Sequence, residues 1–331
     1  MSLFLNIRLY ERHKLQKIYS GHMIFKFANQ LYNNAAVLLC LATLGFAGNT
    51  IAGKLAVGEV SPMMIVFLRW AIVTLLLLSF HWKKLLREIM KIKKRLIWIL
   101  LMGGVGLTGF NSLFYVAAQY TSSINIGIIQ CTMPGFVVLG TIIFHKRVVS
   151  TIQVLGLFVT MLAVIIIVGE GELDTILSLT GNIGDLIMLA GCLFYAGYNI
   201  GLGNRPALDP LTMMAFFSFA ALITSVPILF IEFLVGSSQW PTANGWGIVI
   251  YVALIPAFLS QVFFMRGVDL IGPGEAGLYH NLVPIFTAVL GISILGEVLH
   301  VFHVVSLFLV FGGIYAFKSA KKYKRGKIMD T

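Results

Sequence analysis

Ten apolar stretches, each about 20 residues long, occupy this 331-residue chain between residues 35 and 318. Each is long enough to cross a hydrocarbon core of about 30 Å as a helix. Backbone groups in lipid have no water to pair with, and the period-2 alternation of barrel strands is absent, so the stretches read as helices. The spans, numbered 1 to 10 in chain order, read 35–53, 62–81, 96–117, 123–144, 151–169, 183–202, 211–235, 245–265, 274–295 and 301–318. Ser61-Pro62, Asp209-Pro210, Trp240-Pro241 and Gly272-Pro273-Gly274 mark turns between them. Charged residues make up 11% of the chain, against about 25% in a soluble domain. The expectation is an all-α membrane protein with no room for a separate soluble domain.

The net charge is +11, yet the basic residues sit in loops and tails, where they meet anionic lipid rather than nucleic acid. Residues 1–30 form a basic extension without a small-residue cleavage site, and Met23 is an alternative start. With the N-terminus placed in the cytoplasm, twenty-two of the 24 Lys and Arg residues fall on the inside, seven of them between spans 2 and 3. Lys54 alone falls outside, and Arg69 lies within span 2. The outside loop after span 5 is acidic (Glu170, Glu172, Asp174). This bias places both termini, including the basic tail 319–331, in the cytoplasm of a multi-pass inner-membrane protein.

Residues 123–167 echo residues 273–317 at a constant offset of 150. Pro134 falls on Pro284, Gly127 on Gly277, Phe136 on Phe286, and Leu157-Phe158 on Leu307-Phe308. Shared Pro and Gly at one spacing point to a duplicated unit, 35–169 and 183–318. Five spans per unit is an odd number, so the second unit enters from the opposite side. Two inverted five-helix repeats are the arrangement in which rocking alternates access to a central site.

Several runs of residues resemble the EamA-type members of the drug/metabolite transporter superfamily. Phe46-Ala47-Gly48-Asn49 and Tyr195-Ala196-Gly197-Tyr198 open the two units, and a Pro-opened second span holds Arg69. Phe114-Tyr115-x-Ala117-Ala118 closes span 3, Pro134 and Pro284 sit in spans 4 and 9, and Gly296-Glu297 ends span 9. The resemblance covers residues 35–318. It implies ten helices moving small organic solutes through a cavity lined by spans 1, 3, 4, 6, 8 and 9. The chain departs from the family at His145-Lys146-Arg147, where a Glu is often found, and Arg69 faces Phe217 in the second unit.

Polar groups inside a membrane are costly, so each is a candidate for function. Gln130 aligns with His280, each four residues before the shared Pro; Cys131 aligns with Asn281, and Asn111 with Gln261. Proline frees the carbonyl four residues earlier, so a kink beside a polar side chain is expected at Gln130 and His280. These groups are solute contacts or interhelical hydrogen bonds, and the sequence leaves both roles open. His280 is the candidate for proton coupling, against a neutral ring bonded to a neighbour. Arg69 attracts an anionic solute or pairs with an acid or helix-end carbonyls. Asn49, Tyr115, Tyr195, Tyr198, Asn199 and Tyr279 would line a cavity suited to amino acids, amines or drug-like metabolites.

Other features read as structural. Lys54 and Glu59 are expected to be solvated, and Asp185, Asp269, Glu275 and Glu297 to cap or snorkel at span ends. Trp240 and Trp246 read as interfacial anchors. Gly104-x-Gly106-x-x-Gly109 lacks the strand and acid of a dinucleotide site, and with Gly197-x-x-x-Gly201 reads as close helix approach. Cys40, Cys131 and Cys192 lack metal-ligand spacing, so no cofactor or metal is expected. A secondary transporter is the leading reading, since no Walker lysine motif is present. The alternatives are a membrane-embedded enzyme on lipid-linked substrates, disfavoured by scattered acids, and a channel, disfavoured by the lack of a polar stripe. Cargo, direction and oligomeric state are not encoded in any pattern found.

Overall fold

The computed structural model describes residues 32–145, 151–172, 181–206, 208–271, 276, 279–313 and 315. Arg147 with Lys146, Asp174, Gly272-Pro273-Gly274, Glu275, Gly277, the extension 1–30 and the tail 319–331 lie outside them. Each of the ten spans carries helix among the described residues. Spans 1, 6 and 7 are Ala35–Leu55, Ile183–Gly201 and Pro210–Leu234. The helices of spans 5 and 10 cover Thr151–Val168 and Val301–Gly313.

Span 2 differs from expectation. Its helix, Pro62–Ile92, runs eleven residues past the apolar stretch and turns into span 3 through a short 3₁₀ link at Lys93–Arg95. The basic segment read as a loop is rich in Lys, Leu, Arg and Glu, all strong helix formers, and Lys91 pairs with Glu88 at 2.6 Å.

Four spans are irregular, and in matched positions. Span 3 contains a π-helical segment, Met102–Gly109, between Leu96–Leu101 and Phe110–Tyr120. Span 8 repeats the device at Ala253–Leu259, between Ala243–Val252 and Ser260–Ile271. Span 4 breaks between Ser123–Gln130 and Met133–His145. In span 9 a turn at His280-Asn281 precedes Leu282–Leu290, which a π-helical turn extends through Gly291–Leu295. The breaks fall where Pro134 and Pro284 deny the preceding turn a backbone donor. One detail differs: the His280 carbonyl is not left free, since it accepts the Val283 N–H at 3.1 Å.

Packing repeats the same symmetry. Span 1 lies against spans 8 and 9, while its counterpart, span 6, lies against spans 3 and 4. Spans 2 and 7 pack on each other, as do spans 4 and 9. Each unit therefore inserts its first helix into the other unit, so neither can bury its apolar faces alone. Gly103, Gly104 and Gly106 of span 3 act as close-approach sites: a Cβ on Gly103 would lie 2.7 Å from the Phe217 carbonyl, and one on Gly106 2.7 Å from Tyr198 Cβ, whereas one on Gly109 would meet nothing nearer than 3.6 Å. Gly197 does not fit that expectation, since an added Cβ there meets nothing within 4 Å.

A Cβ on Gly127 would come within 2.9 Å of Thr287 Cβ, where span 4 crosses span 9. Threonine is stiff at χ1 and yields little. Gly127→Ala should lower stability in detergent by about 1–3 kcal/mol through overpacking. Gly197→Ala should be neutral or gain about 0.5–1 kcal/mol. Thermal unfolding of the two variants checks the contrast; equal effects would contradict the crossing.

Candidate functional site

Arg69 organises the centre of the molecule. Its position in span 2 is buried, with 5% of its surface exposed. Nη1 donates to Asn49 Oδ1 at 3.0 Å, Asn111 Oδ1 at 3.0 Å and the Tyr115 hydroxyl at 2.9 Å. The Tyr115 hydroxyl in turn donates to Asn49 Oδ1 at 3.0 Å, and Asn111 Nδ2 donates to the Leu107 carbonyl at 2.6 Å. Spans 1 and 3 thus hold the guanidinium by neutral oxygens. The pairing with an acid expected as one alternative is not formed: among the described residues the ion pairs are Lys84–Asp209 and Lys91–Glu88. Nor are the carbonyls of a helix end its partners. The Trp70 ring lies 5.6 Å from the guanidinium carbon, and Arg69 Nε is buried without a partner.

Arg69 opens on a narrow cavity of about 50 Å³, lined by residues of spans 1, 2, 3, 4, 6, 8 and 9. Of the predicted residues, it gathers Asn49, Arg69, Asn111, Gln130, Tyr195, Gln261 and His280. Gln130 and His280 face it from the two helix breaks. The Gln130 amide reaches Thr50 only at 3.5 Å, and the His280 ring lies 5.5 Å from both the Phe46 and Phe264 rings. The Tyr195 ring packs 4.8 Å from Phe110, and its hydroxyl faces the Gln261 amide.

Five predicted residues are not in the lining. Asn199 donates instead to the Tyr195 carbonyl at 2.9 Å, and Tyr279 lines a separate pocket with Asn33 and Asn34. Tyr115 stands behind Arg69 as its acceptor. Tyr198 packs on Tyr195 and Phe217, with ring centroids 5.5 and 5.8 Å away. Asn281 opens the helix Leu282–Leu290 without a side-chain capping bond. Conversely, Trp70, Phe110 and Pro256 line the cavity and were missed. The adjacency of Trp70 to Arg69 was the available signal for the first of these.

Polar clasps join helix ends at the two faces. On the face that carries Lys54, the Glu297 carboxylate accepts the Ser123 N–H at 2.7 Å, the Ser123 hydroxyl at 2.8 Å and the Ile124 N–H at 3.1 Å. An anion at a helix N-terminus is favoured by the unpaired amides and the dipole. Gly296, at φ 67°, ends span 9 in the left-handed conformation that turns Glu297 out of the helix. Glu232 holds span 2 similarly, accepting from Ser61 Oγ at 2.6 Å and the Met63 N–H at 3.0 Å. Lys54 is not solvated as expected: it donates to the Ala118 and Thr121 carbonyls at 3.0 and 2.8 Å. Glu59 accepts a hydrogen bond from Thr242 and is likewise engaged. Asp185 is fully buried and accepts from Thr121 at 2.5 Å and Asn125 at 3.0 Å; His303 Nε2 lies 2.9 Å from Asn125 Oδ1.

The opposite face mirrors one of these clasps. Lys84 pairs with Asp209 at 2.7 Å, and His81 lies 2.9 Å from Thr212. Lys84 stands to Asp209-Pro210 as Glu232 stands to Ser61-Pro62, at one offset of 148 along the chain. Partial burial raises the Asp209 pKa, but hydrogen bonds from Lys84 and Thr212 outweigh it and hold the carboxyl at about 2. Arg95 also donates to the Asn204 carbonyl on this face.

A bundle of interleaved inverted repeats, with broken helices facing a central polar cavity, is the architecture of a membrane transporter. The EamA-like transporter family matches residues 33–169 and 182–318, and the chain belongs to that family. It is similar to the uncharacterized transporter YyaM of Bacillus subtilis (strain 168), 29% identical over 227 residues, which are 68% of this chain and 73% of that protein. It is also similar to an uncharacterized transporter of Archaeoglobus fulgidus, 25% identical over 84% of this chain and 95% of that one. A crystal structure of another protein shares the fold, with TM-score 0.56 at 15% identity, over 86% of this chain and 96% of that one. The chain is thus a multi-pass membrane transporter and not an enzyme.

The Arg69 network predicts a double-mutant cycle. Asn49→Leu alone should cost about 2 kcal/mol, because a hydrogen bond to a charged group is lost and the charge stays buried. In an Arg69→Met background the same change should cost about 0.5 kcal/mol or less. Additive losses in thermal unfolding would show that the two residues act separately.

Proposed function

We propose that the chain is a secondary carrier that moves a small organic solute by alternating access. Its moving parts are the halves 35–169 and 183–318, and Gln130, His280 and Arg69 meet the solute at their interface. The observation that carries this reading is the pair of helix breaks, one per half, facing one cavity. At about 50 Å³ the cavity is far below the roughly 300–1,000 Å³ of solute sites, which supports reading this conformation as closed. Spans 2 and 7 are clasped at both faces by Glu232 and by Lys84–Asp209, as suits a pivot. The Glu297 clasp joins spans 4 and 9 at the Lys54 face, as suits a gate. The charge bias supports placing that face outside and both termini in the cytoplasm.

Proteoliposomes of purified protein, loaded with organic acids, amines, amino acids, nucleosides or sugars and supplied outside with trace label, test the proposal. Saturable counterflow of at least one solute is expected. Flux that does not saturate, with no stimulation by internal solute, would favour a pore and contradict the carrier.

A further inference from the structure

Resting on the carrier reading above, we propose that the cargo is an organic anion: a carboxylate on an apolar, aromatic-sized body, paired with Arg69. Arginine keeps its charge at any physiological pH, and a charge near the bilayer centre costs about 3 kcal/mol on insertion scales even after relaxation. Three neutral oxygens share Nη1 alone. Nε is buried and unpartnered, and among the described residues every hydrogen bond Arg69 donates comes from Nη1 and none from Nη2. Nε and Nη2 form one edge of the guanidinium, with two parallel N–H groups that match a carboxylate bidentately. That edge is the unused one. The oxygens that anchor Nη1 and the Trp70 ring beside the guanidinium fix its direction.

The rest of the lining selects by sign. Among the described residues it contains no Asp, Glu or Lys, and its other polar side chains are Asn49, Trp70, Asn111, Gln130, Gln261, Tyr195 and His280. A cationic amine entering here would add a second positive charge beside Arg69 with no carboxylate to meet it. A zwitterion would satisfy Arg69 but leave its ammonium with neutral acceptors only. A carboxylate without an ammonium pairs the charge and places its apolar body against Phe46, Phe110, Phe114 and Met133. The amines proposed from sequence are thereby disfavoured, as are cationic drugs.

Four probes sharing one body separate the cases: phenylacetate, phenethylamine, phenylalanine and 2-phenylethanol, binding to purified protein in detergent. Phenylacetate should bind about tenfold tighter than each of the others, a difference of about 1.4 kcal/mol. This comparison uses the unaltered chain and does not depend on an Arg69 variant folding. Gln130→Glu, which puts a carboxylate in the cavity, should abolish phenylacetate binding and improve phenethylamine binding. A preference for the amine or amino acid, equal binding of the alcohol, no binding by any of the four, or unchanged selectivity in Gln130→Glu would overturn the proposal. Phenylacetate binding without counterflow would count against the carrier and leave the anion assignment standing. Counterflow of a cation would do the reverse.

Discussion

Most of the architecture can be related to the difficulty of keeping one guanidinium inside a membrane. Arg69 is tolerable only because spans 1 and 3 bring three oxygens to one of its nitrogens. Those oxygens need their own support: Asn111 is tied to the Leu107 carbonyl within the π-helical stretch of span 3, and Tyr115 to Asn49. A regular span 3 would rotate Asn111 away from Arg69 relative to the residues before the π segment, since each residue advances about 100° around a helix. The wide turn therefore belongs to the site, as π segments often do. The other half contributes no matching charge, for Phe217 stands where symmetry would place one.

That asymmetry sits on a frame that is otherwise symmetric. The π segments of spans 3 and 8 correspond, the breaks of spans 4 and 9 correspond, and the first span of each unit packs on the third and fourth of the other. The clasp of spans 2 and 7 is duplicated with its charge reversed: Glu232 accepts from the start of span 2, and Lys84 pairs with the residue before span 7. On the carrier reading proposed above, symmetry would provide two related ways of packing the halves, and the departures from symmetry would set what is bound between them.

The sequence carried the ten spans, the duplication and the places where spans 4 and 9 break. Lipid imposes length and pairing on every helix, and a proline removes a donor wherever it stands. It also named seven of the cavity's side chains, because buried polar residues are rare in a chain this apolar. What it did not carry depends on partners far apart in the chain. Lys54 looked solvated because its acceptors are backbone carbonyls of span 3 and the turn after it, which leave no trace in residue type. For Arg69 the expectation was an anionic solute, an acid or helix-end carbonyls, whereas two amide oxygens and a phenol hold it. Span 2 was expected to end at residue 81, just ahead of the charged segment, although helix formers continue it to Ile92.

The central claim is that the two faces open in turn around Arg69. In protein with Cys40, Cys131 and Cys192 replaced, spin labels at Val57 and Val298 would report the Lys54 face, and labels at Lys94 and Asp269 the opposite one; all four positions are exposed. Double electron–electron resonance should show the two distances changing in opposite directions when phenylacetate is added to lipid-reconstituted protein. Distances that lengthen together, or that stay fixed while counterflow proceeds, would contradict the account.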